Sequence, residues 1–93
     1  MEQIKDKRTL QILRRKMPKG FEQTVLKRAS VAVHNVMAAR DLRDLSNNPG
    51  MRLEKLPEYA GNNTYSVRIN NKWRVKFTWE ENRAMNIEVV DYH

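Results

Sequence analysis

The chain has 93 residues, with 18 Lys and Arg against 11 Asp and Glu, a formal net charge of +7 and no cysteine. That length suits one domain, residues 1–93, around one modest core. The lack of cysteine excludes a disulfide-stapled scaffold, a thiolate metal site and a cysteine nucleophile. No apolar run approaches the ~20 residues that span a bilayer, and the opening MEQIKDKRTLQ has no apolar signal segment. A cytoplasmic location without a membrane partner is therefore expected, and the charge points to polyanionic partners, nucleic acid first.

The first segment reads as helical, with Asp6 as N-cap and Leu10, Ile12 and Leu13 as its apolar positions. Ile4 is expected to form a short edge strand ahead of it. Arg14, Arg15, Lys16 and Lys19 follow in the densest basic cluster of the chain, before Pro18-Lys19-Gly20 breaks the segment. A second, longer helix is predicted over Phe21–Ala39. Phe21, Val25, Ala29, Ala32 and Val36 fall on one helical face, and Lys27 and Arg28 lie toward the other. Leu42 and Leu45 suggest one more turn. Residues 1–45 hold 11 basic and 5 acidic residues, so nearly all the excess charge belongs to the helical half, 1–46. The cluster reads either as cations at a solvated helix end or as a phosphate-contacting surface, and the second reading is favoured.

Ser46-Asn47-Asn48-Pro49-Gly50 divides the chain, and the period then changes to two. In the half 51–93, Tyr65/Val67/Ile69, Trp73/Val75/Phe77/Trp79 and Met85/Ile87/Val89 are the apolar phases of three half-buried strands. Arg52–Leu56 is a candidate fourth. Short connections make neighbouring strands antiparallel. The expected class is α+β, with N-terminal helices covering the apolar face of an antiparallel sheet.

Strand parity carries a sharper expectation. A two-residue loop at 70–71 would oppose Arg68 to Trp73 and put an arginine and a tryptophan on one face. An odd loop over 70–72 instead opposes Ile69 to Trp73 and Arg68 to Arg74. The odd loop, with a bulge, is predicted, and it sets two arginines side by side on the open face with Lys76 extending that face. Like charges opposed in a sheet repel. The pair reads either as two solvated arginines that splay apart or as a fork for phosphate, whose geometry guanidinium matches.

The chain ends Asp91-Tyr92-His93, three groups able to move protons. If Val89 is in the core, parity puts Tyr92 on the arginine face, and Asp91 and His93 need a twist to reach it. His34, amid apolar neighbours of the second helix, reads as a helix-surface or half-buried residue. Two distant histidines without cysteine give no metal-ligand spacing. Asn62-Asn63-Thr64 matches a glycosylation sequon by chance in a chain expected to be cytoplasmic.

Ser66-Val67-Arg68-Ile69-Asn70, Trp73-Arg74-Val75-Lys76-Phe77 and the terminal Val89-Val90-Asp91-Tyr92-His93 together resemble the HigB toxins of the RelE/ParE toxin–antitoxin superfamily. Lys5-Asp6-Lys7-Arg8-Thr9 and Pro49-Gly50-Met51-Arg52-Leu53-Glu54 resemble further family segments. The resemblance implies a RelE-like microbial RNase fold, helices on a curved antiparallel sheet. It implies a toxin that cuts mRNA in the ribosomal decoding site without a cofactor or metal, and a HigA-like helix-turn-helix antitoxin that neutralises it. Arg68, Arg74, Asp91, Tyr92 and His93 match the family's active-site positions. Lys55, Lys72 and Lys76, with Arg14, Arg15, Lys16 and Lys19, are the candidate contacts to mRNA and ribosomal RNA. The chain departs from the family at Pro57-Glu58-Tyr59-Ala60-Gly61, where many relatives carry a Lys-Gly pair. Lys55 is the nearest lysine, and Tyr65 replaces a frequent tryptophan. Two other readings are a ParE-like gyrase inhibitor that cuts no RNA and a non-enzymatic RNA-binding module.

Overall fold

In the computed structural model, residues 2–59 and 61–91 are described. Asp6 caps helix α1 (Lys7–Leu13), its carboxylate accepting the Thr9 N–H at 3.0 Å. This satisfies one of the donors that a helix N-terminus leaves open. Gly20, with φ at +80°, turns the chain toward helix α2 (Gln23–Ala38). Val25, Ala29, Ala32, Val33 and Val36 are buried along one face of α2, as the helical spacing predicts, and His34 on the same helix is exposed. The predicted extra turn is helix α3 (Arg43–Ser46). A 3₁₀ turn, Pro49–Met51, held by the Asn48 side chain on the Gly50 N–H, leads into the sheet.

Four antiparallel strands follow in the order β1-β2-β3-β4: β1 (Glu54–Lys55), β2 (Thr64–Arg68), β3 (Trp73–Glu80) and β4 (Arg83–Asp91). The expected edge strand at Ile4 is a single parallel bridge to Ile87, so the N-terminal segment lies beside β4. Two hydrogen bonds hold it, Lys5 N–H to the Ile87 carbonyl at 2.8 Å and Ile87 N–H to the Gln3 carbonyl at 2.9 Å. Val67, Val75, Phe77, Ala84, Ile87 and Val89 pack the inner face of the sheet against Ile12, Ala29, Val33 and Val36 of the helices. The fold is α+β, with helices covering one face of an antiparallel sheet, as the two periodicities predict.

The parity argument holds. Arg68 is registered with Arg74 and Val67 with Val75. Asn70, Asn71 and Lys72 form the loop. The Asn70 side chain accepts both the Lys72 and Trp73 N–H groups, at 2.9 and 2.8 Å. The Ile69 and Asn70 N–H groups both reach the Trp73 carbonyl, two residues opposing one as in a bulge.

The expected phase of Met85 is wrong. Pairing between β3 and β4 jumps from Lys76–Glu88 to Thr78–Met85, so Asn86 and Ile87 together oppose Phe77. Asn86 sits at φ +53° and donates to Thr78 Oγ1 at 3.0 Å. This bulge reverses the phase of the first part of β4. Ala84 occupies the core at 0% exposure, and Met85 turns to the open face.

One buried tie joins helix to sheet. Thr9, fully buried, accepts the Val89 N–H through Oγ1 at 2.9 Å. Thr9→Val keeps the shape and leaves that N–H without an acceptor, which is expected to cost about 1–3 kcal/mol. Urea unfolding should show a correspondingly lower midpoint; an unchanged midpoint would mean that this tie contributes nothing.

Candidate functional site

The register fixes what stands on the open face. Glu54, Ser66, Lys76 and Glu88 form one row across β1 to β4, and Arg68, Arg74 and Val90 form the next. Beside these rows lies a cleft of about 270 Å3 lined by Leu56, Glu58, Tyr59, Ser66, Arg74, Lys76, Val90 and Asp91. The loop after β1 makes one wall, β3 the floor, and the end of β4 the other wall.

Arg74 reaches into this cleft with only 15% of its side chain exposed. Its Nη1 lies 3.3 Å from Glu54 Oε1 and 3.4 Å from Ser66 Oγ. Lys76 Nζ lies 3.1 Å from Glu88 Oε1 and 3.5 Å from the Tyr59 hydroxyl, and 4.5 Å above the centre of the Tyr59 ring. Burial pulls the Lys76 ammonium toward the neutral form. The hydrogen bond to Glu88 and its charge, with a smaller contribution from Tyr59, outweigh burial and raise its pKa above the usual lysine value. Lys76 is therefore held in its charged form at neutral pH.

The two arginines pair in register and diverge in direction. The Arg68 guanidinium donates to Asn71 Oδ1 and lines a second cleft, of about 290 Å3, with Lys27, Arg28, Val31 and Met51. Arg74 turns the other way, toward Glu54. The opposed charges are thus separated by different acceptors, which relieves the repulsion of a direct pair.

Asp91 is registered with Trp73, the buried-face phase, yet as the last described residue of β4 it lines the Arg74 cleft. Tyr92 and His93 lie outside the described residues. Behind this strand end, Arg8 of α1 donates through Nη2 to the Val89 carbonyl at 2.5 Å and lies 5.3 Å over the Trp73 ring.

The basic candidates fall in separate places. Lys55 is exposed and in register with Tyr65, off the arginine face, where its neighbour Glu54 stands instead. Lys72 lies 3.7 Å from Glu22 and 5.4 Å over the Trp73 ring, on the side of α2. Arg14, Arg15, Lys16 and Lys19 are exposed on the segment between α1 and α2, and none lines the Arg74 cleft. The residues that sequence reasoning passed over are Glu54, Glu58, Tyr59 and Ser66. Ser66 was reachable by extending the parity of Arg68 back along β2, whereas Glu54 stands on a strand of two residues that carries no period of its own. The loop residues Glu58 and Tyr59 follow no period and carry no such signal.

The cleft can hold an anion between Arg74 and Lys76, with carboxylates from Glu54, Glu58 and Asp91 at its margins. Among the described residues, no group of three or more His, Cys, Asp or Glu is placed to hold a metal ion. No helix there is long and apolar enough to cross a membrane.

Residues 5–93 match the family model of HigB-like toxins, described as RelE-like toxins of the type II toxin–antitoxin system HigB. Among curated proteins no match is found.

Because its pKa is raised in the folded state, Lys76 stabilises the fold wherever it is protonated in both states, below the ordinary lysine value of 10.5. That contribution should disappear as pH climbs through the higher folded value. An NMR titration should place the Lys76 midpoint above 10.5 and show it falling in Glu88→Gln. A midpoint unmoved by Glu88→Gln would remove Glu88 as the cause.

Proposed function

The chain belongs to the HigB-like family of RelE-like toxins from type II toxin–antitoxin systems, and from that premise we propose that it is a ribosome-dependent endoribonuclease that cuts mRNA in the decoding site. The observation that carries the reading is the cleft itself. Arg74, held at 15% exposure by Glu54 and Ser66, faces the same space as Lys76 and Asp91.

Cleavage without a metal proceeds by attack of the ribose 2′-OH on the adjacent phosphate. The 2′ oxygen bonds to phosphorus, its proton passes to a base, and the 5′ oxygen leaves with a proton from an acid. The products are a 2′,3′-cyclic phosphate and a 5′-OH end. Negative charge grows on the phosphate oxygens in the transition state, and a preorganised guanidinium beside them lowers the barrier. Arg74 takes that role, with Arg68 as a second cation on the approach. Asp91, Tyr92 and His93 supply the proton transfers. The exposed Arg14, Arg15, Lys16 and Lys19 grip ribosomal RNA through phosphate contacts that carry no sequence information. Lys72 and Lys55 add peripheral charge. The antitoxin is a HigA-like helix-turn-helix protein, the molecule forms one domain over residues 1–93, and the action is cytoplasmic.

After induction, mRNA 5′ ends should show translation-dependent cuts, and gyrase supercoiling should be unaffected. Arg74→Ala should reduce cutting roughly 10²- to 10³-fold, the cost of losing one preorganised donor, and deletion of His93 should also reduce it. Cutting that survives both changes would refute the assignment, and gyrase inhibition without cutting would favour a ParE-like toxin.

A further inference from the structure

We propose that Tyr59 is a nucleobase platform, stacking one base of single-stranded RNA beside the phosphate that Arg74 holds. The inference rests on the nuclease reading above. Three large hydrophobic side chains are exposed among the described residues, Met17, Val31 and Tyr59, and Tyr59 is the one aromatic. Its ring lines the Arg74 cleft with 41% of the residue exposed.

The ring is also oriented. Lys76 lies 4.5 Å over its centre and 3.5 Å from its hydroxyl, and Lys76 is itself fixed by Glu88 at 3.1 Å. This chain of contacts runs from β4 through β3 to the loop after β1. It holds a loop aromatic beside two cations without burying it.

Single-stranded RNA presents this chemistry in alternation, a flat π face on each base and a negative phosphate between bases. Aromatic side chains take the first and guanidinium or ammonium groups the second. The two clefts are of similar size, about 270 and 290 Å3, so their linings and not their volumes separate them. The other cleft carries three cations, Lys27, Arg28 and Arg68, over an aliphatic floor of Val31, Ala32, Met51 and Ile69. It offers no ring for a base.

The test uses the full chain and ribosomes programmed with an mRNA that carries 2-aminopurine in the decoding-site codon and a 2′-O-methyl group that blocks cutting. Quenching of 2-aminopurine reports stacking, and cleavage of the unblocked mRNA is measured in parallel. Tyr59→Leu should weaken quench-detected binding roughly 10- to 100-fold, the effect of losing one base–aromatic stack. The loss should fall mainly on KM. Tyr59→Phe and Tyr59→Trp, which keep a ring, should recover most of it. Melting curves confirm that each variant folds. Wild-type affinity in Tyr59→Leu would overturn the platform, as would a loss in Tyr59→Phe equal to that in Tyr59→Leu, which would assign the effect to the hydroxyl. If the wild-type protein cuts no mRNA, the nuclease reading fails. Quenching of a free single-stranded 2-aminopurine oligonucleotide by wild type but not by Tyr59→Leu would still support the platform, and its absence would overturn that too.

Discussion

The register of β2 against β3 is the constraint on which the site depends. A strand side chain belongs to one face or the other, so a slip of one residue in β2 would turn Ser66 and Arg68 toward the core. The Asn70 side chain prevents that slip by accepting two successive N–H groups inside the loop. It fixes an odd loop, and an odd loop is what opposes Arg68 to Arg74. The inner face then holds Val67, Val75 and Phe77 at 0% exposure, so any slip would bury charge and expose a packed core. The turn and the core specify the same register.

The end of β4 is positioned by a second set of contacts. Without the bulge at Asn86, the phase that buries Ala84 and the phase that buries Ile87 and Val89 could not coexist in one strand. The bulge reconciles them. Beyond it, Thr9 takes the Val89 N–H and Arg8 takes the Val89 carbonyl. Both backbone groups of one residue are thus claimed by α1, on the strand that delivers Asp91 to the cleft. Arg8 Nε is buried without a hydrogen-bond partner among the described residues. Arg8 thus stands where helix, sheet edge and cleft wall meet.

How much of this was legible in the sequence follows from what repeats. The helical face of α2 and the period-two phases of β2 and β3 repeat often enough to be read directly. Parity then yields the Arg68–Arg74 pairing without any structural knowledge. Met85 was misplaced because a single residue at positive φ, Asn86, reverses the phase and leaves no periodic trace. Lys55 drew attention as the lysine nearest the place of the family's Lys-Gly pair, but a two-residue strand has no period to say that Glu54 is the one on the arginine face. The divergence of the two arginines was illegible for another reason. Register sets where a Cα sits, whereas the guanidinium goes to the nearest acceptor. Asn71 for Arg68 and Glu54 with Ser66 for Arg74 lie on different elements.

Those acceptors also change what the charge of the molecule means. A net charge of +7 suggests a surface that binds any polyanion, yet both cations of the cleft are matched by carboxylates, Arg74 by Glu54 and Lys76 by Glu88. A phosphate entering the cleft must compete with Glu54 for Arg74. Glu54 is half exposed, at 51%, and Arg74 is at 15%, so the carboxylate can withdraw toward water while the guanidinium stays in place. The exchange favours an anion that brings additional contacts over a free ion that brings charge alone. On the proposed nuclease reading, long-range attraction would fall to the exposed Arg14, Arg15, Lys16 and Lys19, and recognition to the placed groups of the cleft. The separation resembles the division of labour in nucleic-acid interfaces generally, in which phosphate contacts bring the partner in and a few placed groups decide what is recognised.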